Sequence, residues 1–222
     1  MEFRHLNEVQ HATASWEDLQ YVAGPVYSIW ALALPFRVQH LALVVDSKLD
    51  WQRLWSVVRE IDTSRNTLDL KLLLPDPRTH PDFLGKLFEI MAASKVSHIA
   101  LRFQSWMSAD FSIDYLTSAL TTIAQSSFIT YLELDLSPAL SNNRAGLEFI
   151  NASHSLKMRL RECVAQEILA KAPSLRQLLF TTSMRKSMLW TKPQEDRDVL
   201  VMTILSPQEC GKFRDTEGMM TV

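Results

Sequence analysis

The feature that most constrains this chain is a short segment of alternating apolar and polar residues that recurs along its 222 residues. Strict alternation predicts β-strands that bury one face. Four copies are clear and two are weaker: 40–44, 69–73, 98–102 and 131–135, then 155–159 and 177–181. Their first core residues, at positions 41, 70, 99, 132, 156 and 178, are 29, 29, 33, 24 and 22 residues apart. These spacings lie near the period of leucine-rich repeats.

Apolar residues at helical spacing occupy the intervals between the predicted strands. Trp51, Leu54, Trp55, Val58 and Ile61 follow Asp50 as one stripe on a helix. Further helices are predicted over about 83–91, 113–123 and 164–172, the last of which ends at Pro173. Strands joined by helical crossovers of 10 to 17 residues must pair in parallel.

Two architectures remain open, a doubly wound sheet and a solenoid with helices on one side. The strands alternate instead of being apolar throughout, which is typical of a sheet with one face open to water. The chain also lacks the glycine-rich first turn of dinucleotide-binding sheets. We therefore predict an α/β fold, an irregular leucine-rich-repeat-like solenoid with parallel strands in chain order and helices on one side.

The same patterns divide the chain into three parts. We expect an N-terminal helical cap over 1–36, whose segment 16–36 packs as helices on the edge of the first strand. A degenerate repeat domain follows over 37–205, with a seventh strand over about 199–205 as its terminal cap. The remaining residues, 206–222, are expected to form a flexible tail.

Charge and composition restrict the partners. With 23 basic and 25 acidic residues the formal net charge is −2, so the sequence predicts neither a nucleic-acid nor a membrane partner. The most apolar stretch, 22–36, is shorter than the roughly 20 residues that cross a bilayer. No secretory signal is evident, and neither cysteine belongs to a paired motif. We expect an intracellular protein, cytoplasmic or nuclear.

Catalytic and cofactor motifs are not evident in the sequence. The six histidines include no pair at i, i+4, and the five glycines form neither a phosphate-binding nor a dinucleotide-binding loop. The sequence therefore predicts no enzymatic activity, no metal and no cofactor.

Two segments resemble fungal F-box proteins that carry leucine-rich repeats. The run from Trp16 to Leu43 is similar to the junction where the back half of the F-box meets the first leucine-rich strand. Segments 171–178 and 128–134 resemble the degenerate repeats of that family. The resemblance implies that 1–36 is a remnant of the F-box junction and that 16–36 binds a Skp-type adaptor. It also implies the substrate-receptor part of a ubiquitin-ligase subunit.

The chain departs from that family at two points. The first half of the F-box is not evident in residues 1–15. The consensus asparagine five positions after each anchor is replaced by Asp46, Pro75, Gln104, Ser137, Arg161 and Ser183.

The strand register predicts a binding surface on the open face of the sheet. Residues one before, one after and three after each anchor should point to that face. Glu133 and Asp135 should then lie between Arg102 on one side and Lys157 with Arg159 on the other. These charges either neutralise one another or form a recognition patch for a protein partner. The predicted patch consists of His98, Arg102, Tyr131, Glu133, Asp135 and Arg159.

Three functions remain open at this point. The favoured one is a non-catalytic protein-protein interaction module. The second is a small α/β enzyme, hydrolase-like, without a recognisable motif. The third is a truncated or degenerate copy with no independent activity.

Overall fold

Eight strands lie side by side in one open sheet, and their spatial order is their order in the chain. The computed structural model describes residues 2–11, 18–33, 37–46, 50–61, 68–74, 87, 96–103, 118, 120–122, 128–135, 165–183, 186–193 and 200–216. The strands are β1 Asp18–Pro25, β2 Arg37–Val44, β3 Leu68–Leu74, β4 Val96–Phe103, β5 Tyr131–Asp135, β6 Gln177–Ser183, β7 Lys186–Thr191 and β8 Val201–Leu205. The described helices are α1 Glu2–His11, α2 Val26–Leu32, α3 Asp50–Glu60, α4 Ala165–Lys171 and α5 Pro207–Thr216.

The predicted core residues form one ladder across the parallel strands. In the pairing register Leu41 lies beside Leu70, which lies beside Ile99, and the ladder continues through Leu132 to Leu178. All five are at most 1% exposed. In β3 the even-numbered residues from Leu68 to Leu74 are buried and the odd-numbered residues between them are half-buried. The predicted parallel pairing is therefore confirmed for these strands, and the predicted alternation of burial is confirmed for β3, whereas β5 is buried at every position.

Helices α2, α3 and α4 pack on the side of the sheet that carries the ladder. Ile29 of α2, Leu54 of α3 and Ile168 of α4 belong to the same buried cluster as the ladder leucines. Helix α3 begins at the predicted Asp50, and α4 ends just before Pro173. Trp55 belongs to the predicted apolar stripe of α3, but its side chain is exposed, whereas Val57, outside that stripe, is buried.

The segment predicted as an all-helical N-terminal cap contains a strand. Residues Asp18–Pro25 form β1, which pairs in parallel with β2, and α2 follows directly. Gly24, the penultimate residue of β1, has a φ of 153°, which lies in the region that favours glycine, and the last residue, Pro25, is the N-cap of α2. Leu19 and Val22 pack against the core. Strand β1 therefore adds one strand to the side of the sheet that carries the ladder.

The predicted strand over 155–159 does not lie between β5 and β6. Those two strands pair directly, with Leu132 beside Leu178 and Glu133 beside Leu179, which leaves no place for another strand. The prediction of a strand at this position in the sheet is therefore wrong. Residues 155–159 themselves, including Lys157 and Arg159, lie outside the described residues.

The C-terminal end of the sheet differs from the parallel pattern. Strand β7 is antiparallel to β6, because residues 184–185 are too short a connection for a crossover. The predicted seventh strand is confirmed as β8, which is also antiparallel to its neighbour. Residues 207–216, expected in a flexible tail, form helix α5, which packs on the face of the sheet opposite to the ladder. The prediction that the helices lie on one side of the sheet is therefore wrong for α5. The chain thus has an α/β fold with an open, mostly parallel eight-stranded sheet. Among the described helices none is long and apolar enough to span a membrane.

Candidate functional site

Three rows of side chains cross the face of the sheet opposite to the ladder, which we call the polar face. On β2 to β6 the first row is His40, Asp69, His98, Tyr131 and Gln177. The second row is Ala42, Lys71, Ala100, Glu133 and Leu179, and the third row is Val44, Leu73, Arg102, Asp135 and Thr181. The alternation in the sequence predicts that these residues share one face. The observed strand pairing has the three predicted rows on β2 to β6.

The polar face has two halves of different exposure. On β2 to β4, the open half, the side chains of the three rows are half-buried, apart from the buried Ala100. On β5 to β7, the covered half, Tyr131, Glu133, Asp135, Leu179 and Leu189 are buried. The difference arises because α5 lies over the covered half, where Cys210 packs with Tyr131 and Leu179.

Asp69 is placed between two histidines on the open half. Its Oδ1 lies 2.7 Å from Nδ1 of His98, and its Oδ2 lies 2.9 Å from Nδ1 of His40. A carboxylate accepts hydrogen bonds, so His98 donates from Nδ1, and its neutral form carries the proton there. The Nδ1 atom of His40 is buried and not in hydrogen-bonding geometry, as is the hydroxyl of Tyr21 on the adjacent strand.

A β-bulge in β4 shapes this part of the face. Leu68 pairs with Val96 but the next residue, Asp69, pairs with His98, so Ser97 is an extra residue in β4. The Ser97 hydroxyl donates to Asp69 Oδ1 at 3.3 Å and lies 2.9 Å from Nδ1 of His98. Its carbonyl accepts from the backbone N–H of Thr130 at 2.8 Å, which ties the bulge to the start of β5.

A buried polar network holds α5 on the covered half. The guanidinium of Arg214 donates to both carboxylate oxygens of Glu133, from Nη2 to Oε1 and from Nε to Oε2 at 3.2 Å. The hydroxyl of Tyr131 donates to Oε2 of Glu133 at 2.9 Å. The ring of Phe213 lies 6.1 Å from that of Tyr131, at a tilt typical of aromatic pairs.

The network shifts the pKa values of its members. Burial, followed by the negative charge of Glu133, raises the pKa of Tyr131 well above its ordinary value. For Arg214 burial acts to lower the pKa, but the Glu133 carboxylate outweighs burial and the pKa is raised. Both groups therefore stay in their protonated forms at neutral pH.

Lys71 and Arg102 complete the charges of the open half. Burial lowers the pKa of Lys71, and the charge of Glu133 opposes this shift. Lys71 lies between Ala42 and Ala100 in its row, so small side chains flank it on both sides. Nε of Arg102 lies 3.6 Å from Oδ2 of Asp135, which confirms the predicted pairing of these two residues.

The predicted recognition patch is thus distributed over both halves. His98 and Arg102 lie on the open half, whereas Tyr131, Glu133 and Asp135 are buried on the covered half, and Arg159 lies outside the described residues. The predicted neighbours of Glu133 and Asp135 on the C-terminal side, Lys157 and Arg159, are replaced by Leu179 and Thr181. The cation that pairs with Glu133 is Arg214.

Several residues of this face have no role in the recognition patch that the sequence predicts. His40, Asp69 and Lys71 were in the predicted rows, and their adjacency could have been inferred from the register. Cys210, Phe213 and Arg214 follow i, i+3, i+4 spacing, which is a weak signal for one helical face in a ten-residue segment.

Within the part of the chain that the structure describes, no group of three or more histidine, cysteine, aspartate or glutamate side chains could hold a metal ion. Comparison of the chain with models of protein families, with curated proteins and with solved structures found no match. The polar face is therefore the feature of the molecule from which a function can be inferred.

Proposed function

We propose that this chain is a non-catalytic protein-binding module whose partner binds the polar face of the sheet. The observation that carries the proposal is the uncovered half of that face. There Asp69, Lys71, Leu73 and Arg102 are half-buried and mix acidic, basic and apolar chemistry on one rigid surface. Rigid surfaces of mixed character that lie on the exposed side of stacked strands are common sites of protein recognition.

The proposal includes the architecture of a degenerate leucine-rich-repeat-like solenoid. It is supported by the chain-order arrangement of the parallel strands and by the in-register ladder from Leu41 to Leu178. By resemblance, we further propose the role of the substrate-receptor part of an F-box/leucine-rich-repeat ubiquitin-ligase subunit.

An adaptor site in residues 16–36 is the remaining part of that proposal. In α2, Ile29 is buried and packs in the core, whereas Tyr27 is 52% and Leu32 is 43% exposed. Arg53 of α3 stacks 4.8 Å from the centre of the Tyr27 ring. These exposed side chains give a Skp-type adaptor a surface to bind.

Affinity capture with paired variants tests the proposed function. The full chain, a Lys71→Ala/Leu73→Ala variant of the open half and a Trp55→Ala variant of the exposed surface of α3 are incubated with extract of the native source. Proteins captured by the wild type and by Trp55→Ala, but lost at least tenfold from the double variant, support the proposal. Equal capture by all three folded proteins contradicts it.

A second candidate, a small hydrolase-like α/β enzyme, is favoured by the Asp69–His98 pair. A carboxylate at Nδ1 of a histidine is the arrangement that orients a catalytic base. The nearby Ser97 hydroxyl, however, lies on the Nδ1 side, whereas the nucleophile of a triad lies at Nε2. Turnover of p-nitrophenyl esters by the wild type that is lost in His98→Gln would favour this candidate over the first.

A further inference from the structure

We infer that the covered half of the polar face is a docking groove for an arginine-bearing amphipathic helix of a partner protein, and that α5 occupies this groove until the partner displaces it. The inference rests on the proposed function as a protein-binding module and adds the class of partner. It depends on three observations, which are the shape of the groove, its buried charge and the exposure of most of α5 at the C-terminal end of the sheet.

The docking groove accepts one face of a helix. Cys210 and Phe213 of α5 pack on Ala100, Tyr131, Leu179 and Leu189. Cys210, Phe213 and Arg214 of α5 contact the groove, and they share one side of the helix because they are three and four positions apart. A partner helix that presents a small residue, an aromatic residue and an arginine at this spacing would make the same contacts.

The buried carboxylate of Glu133 determines the charge of that partner. Glu133 is 5% exposed, and both of its oxygens accept hydrogen bonds from Arg214. A helix that replaces α5 without supplying a cation would leave this carboxylate buried and unpaired, which is strongly unfavourable. The planar guanidinium fork matches two carboxylate oxygens in a way that the single ammonium of lysine does not. An incoming helix therefore needs an arginine.

Most residues of helix α5 are exposed. Cys210 is its buried residue, and Gly211 lies in its interior, where glycine weakens a helix. Ser206 joins it to β8 and caps it. The backbone N–H of Ser206 donates to Oε2 of Glu209 at 2.8 Å, and the backbone N–H of Glu209 reaches the Ser206 hydroxyl at 3.4 Å. This reciprocal cap stabilises the first turn independently of the sheet.

The thiol of Cys210 provides a direct assay for opening. In a Cys163→Ser background, the rate of Cys210 alkylation by iodoacetamide reports how often α5 leaves the groove. We expect Arg214→Ala to raise this rate about 10- to 100-fold, the effect of losing hydrogen bonds between charged groups. Phe213→Ala serves as a second variant that keeps the ion pair and should also raise the rate. Lys212→Ala, on the exposed side of α5, should leave it within about twofold.

The dependence of the rate on urea separates local from global opening. At low urea, alkylation that is independent of denaturant supports local release of α5. Alkylation that follows the equilibrium unfolding curve from zero urea overturns the inference, as does a rate that is unchanged in both Arg214→Ala and Phe213→Ala.

A peptide probe tests the partner class without any partner protein. A fluorescein-labelled peptide of residues 206–216 with Cys210→Ala is titrated against full-length chains. It should bind Arg214→Ala or Phe213→Ala at least about tenfold more tightly than the wild type, because the intact α5 competes for the groove. The same peptide carrying Arg214→Ala should bind at least tenfold more weakly, and with Arg214→Lys binding should also be weakened.

Absence of saturable binding up to millimolar peptide, or equal binding of the arginine-free peptide, overturns the inference. Because this assay reads the groove alone, its failure would leave capture by the open half unaffected. Conversely, loss of the proposed function in the capture experiment would leave the peptide result unchanged.

Discussion

Arg214 and Glu133 are 81 positions apart in the chain, yet the guanidinium of one donates to both carboxylate oxygens of the other on the polar face of the sheet. The side chains are 20% and 6% exposed, so water competes little for either group. This contact fixes a C-terminal helix across strands β5 to β7 and divides the polar face into an open and a covered half.

Loss of Arg214 should destabilise the folded chain by more than an exposed ion pair would suggest. Arg214→Ala leaves a buried carboxylate unpaired, and we expect a cost of about 3 kcal/mol in the free energy of unfolding. The double variant Glu133→Gln/Arg214→Met should recover most of that loss, because no buried charge remains. Lys171→Ala breaks the exposed pair with Glu167 and should cost less than about 0.5 kcal/mol. Urea unfolding followed by circular dichroism measures all three, and equal costs for Arg214→Ala and Lys171→Ala would contradict the assignment.

The core ladder predicts a sharp contrast between the two sides of a strand. Leu132 is fully buried in the middle of the ladder, so Leu132→Ala should cost about 2–5 kcal/mol through lost burial and a cavity. Leu73, half-buried on the polar face of β3, is the matched control, and Leu73→Ala should cost under about 1.5 kcal/mol. Thermal and urea unfolding of the two variants compare the costs. If the order is reversed, the assignment of the two faces is wrong.

Alkaline pH should weaken the fold through Tyr131. Its pKa is raised in the folded chain by burial, so the folded state holds this proton more tightly than the unfolded chain does. Stability from this group is complete below the ordinary pKa of 10.0 and is lost as pH rises above it, because the unfolded chain then binds fewer protons. We expect the urea midpoint to fall as pH rises above about 10, and to fall less in Tyr131→Phe. An identical decline in both proteins would exclude Tyr131 as the cause.

In contrast to Tyr131, Lys71 should make the fold more stable as pH rises, over the pH range below its ordinary pKa of 10.5. Its pKa is lowered by burial, so the folded chain carries a cost while the ammonium is charged, and this cost is relieved as pH rises toward the ordinary value of 10.5. Lys71→Met should therefore be more stable than the wild type at pH 7, and the difference should shrink as pH approaches 10.5. A variant that is less stable at neutral pH would show that the charge of Lys71 contributes a favourable interaction.

The proton on His98 provides a spectroscopic test of the open half. Because Nδ1 donates to Asp69, the neutral ring should carry its proton on Nδ1 and leave Nε2 unprotonated. Nitrogen-15 correlation spectra distinguish the two tautomers directly. In Asp69→Ala the population should shift toward the Nε2-protonated form. A wild-type ring that is already protonated on Nε2 would contradict the contact with Asp69.

The strands from β2 to β5, together with β6, could be predicted because each one carries its own alternation. Leu41, Leu70 and Ile99 are each the first core residue of a local alternating pattern. Parallel strands that begin at the same level place these residues side by side. The adjacency of His40, Asp69 and His98 follows from the same register. The alternation within a strand does not determine which strand pairs with it. For this reason the alternation in 155–159 led to the wrong prediction that a strand lies between β5 and β6.

Contacts between distant segments account for the rest of the site. Asp18–Pro25 contains few core residues, and its strand conformation depends on pairing with β2. Glu133 alternates as an outward-facing residue, and nothing near it in the chain indicates that a helix 81 positions later buries it. The bulge at Ser97 likewise depends on pairing with β3 and on the hydrogen bond from Thr130.

The central claim is that a protein partner binds the polar face, and site-specific photo-crosslinking tests it most directly. Benzoylphenylalanine is placed at position 73 on the open half or at position 55 on the exposed surface of α3, in folded full-length chains exposed to native extract. We expect a discrete crosslinked species from position 73, abolished by Lys71→Ala in the same chain, and none from position 55. The same species from position 55, with none from position 73, would contradict the account.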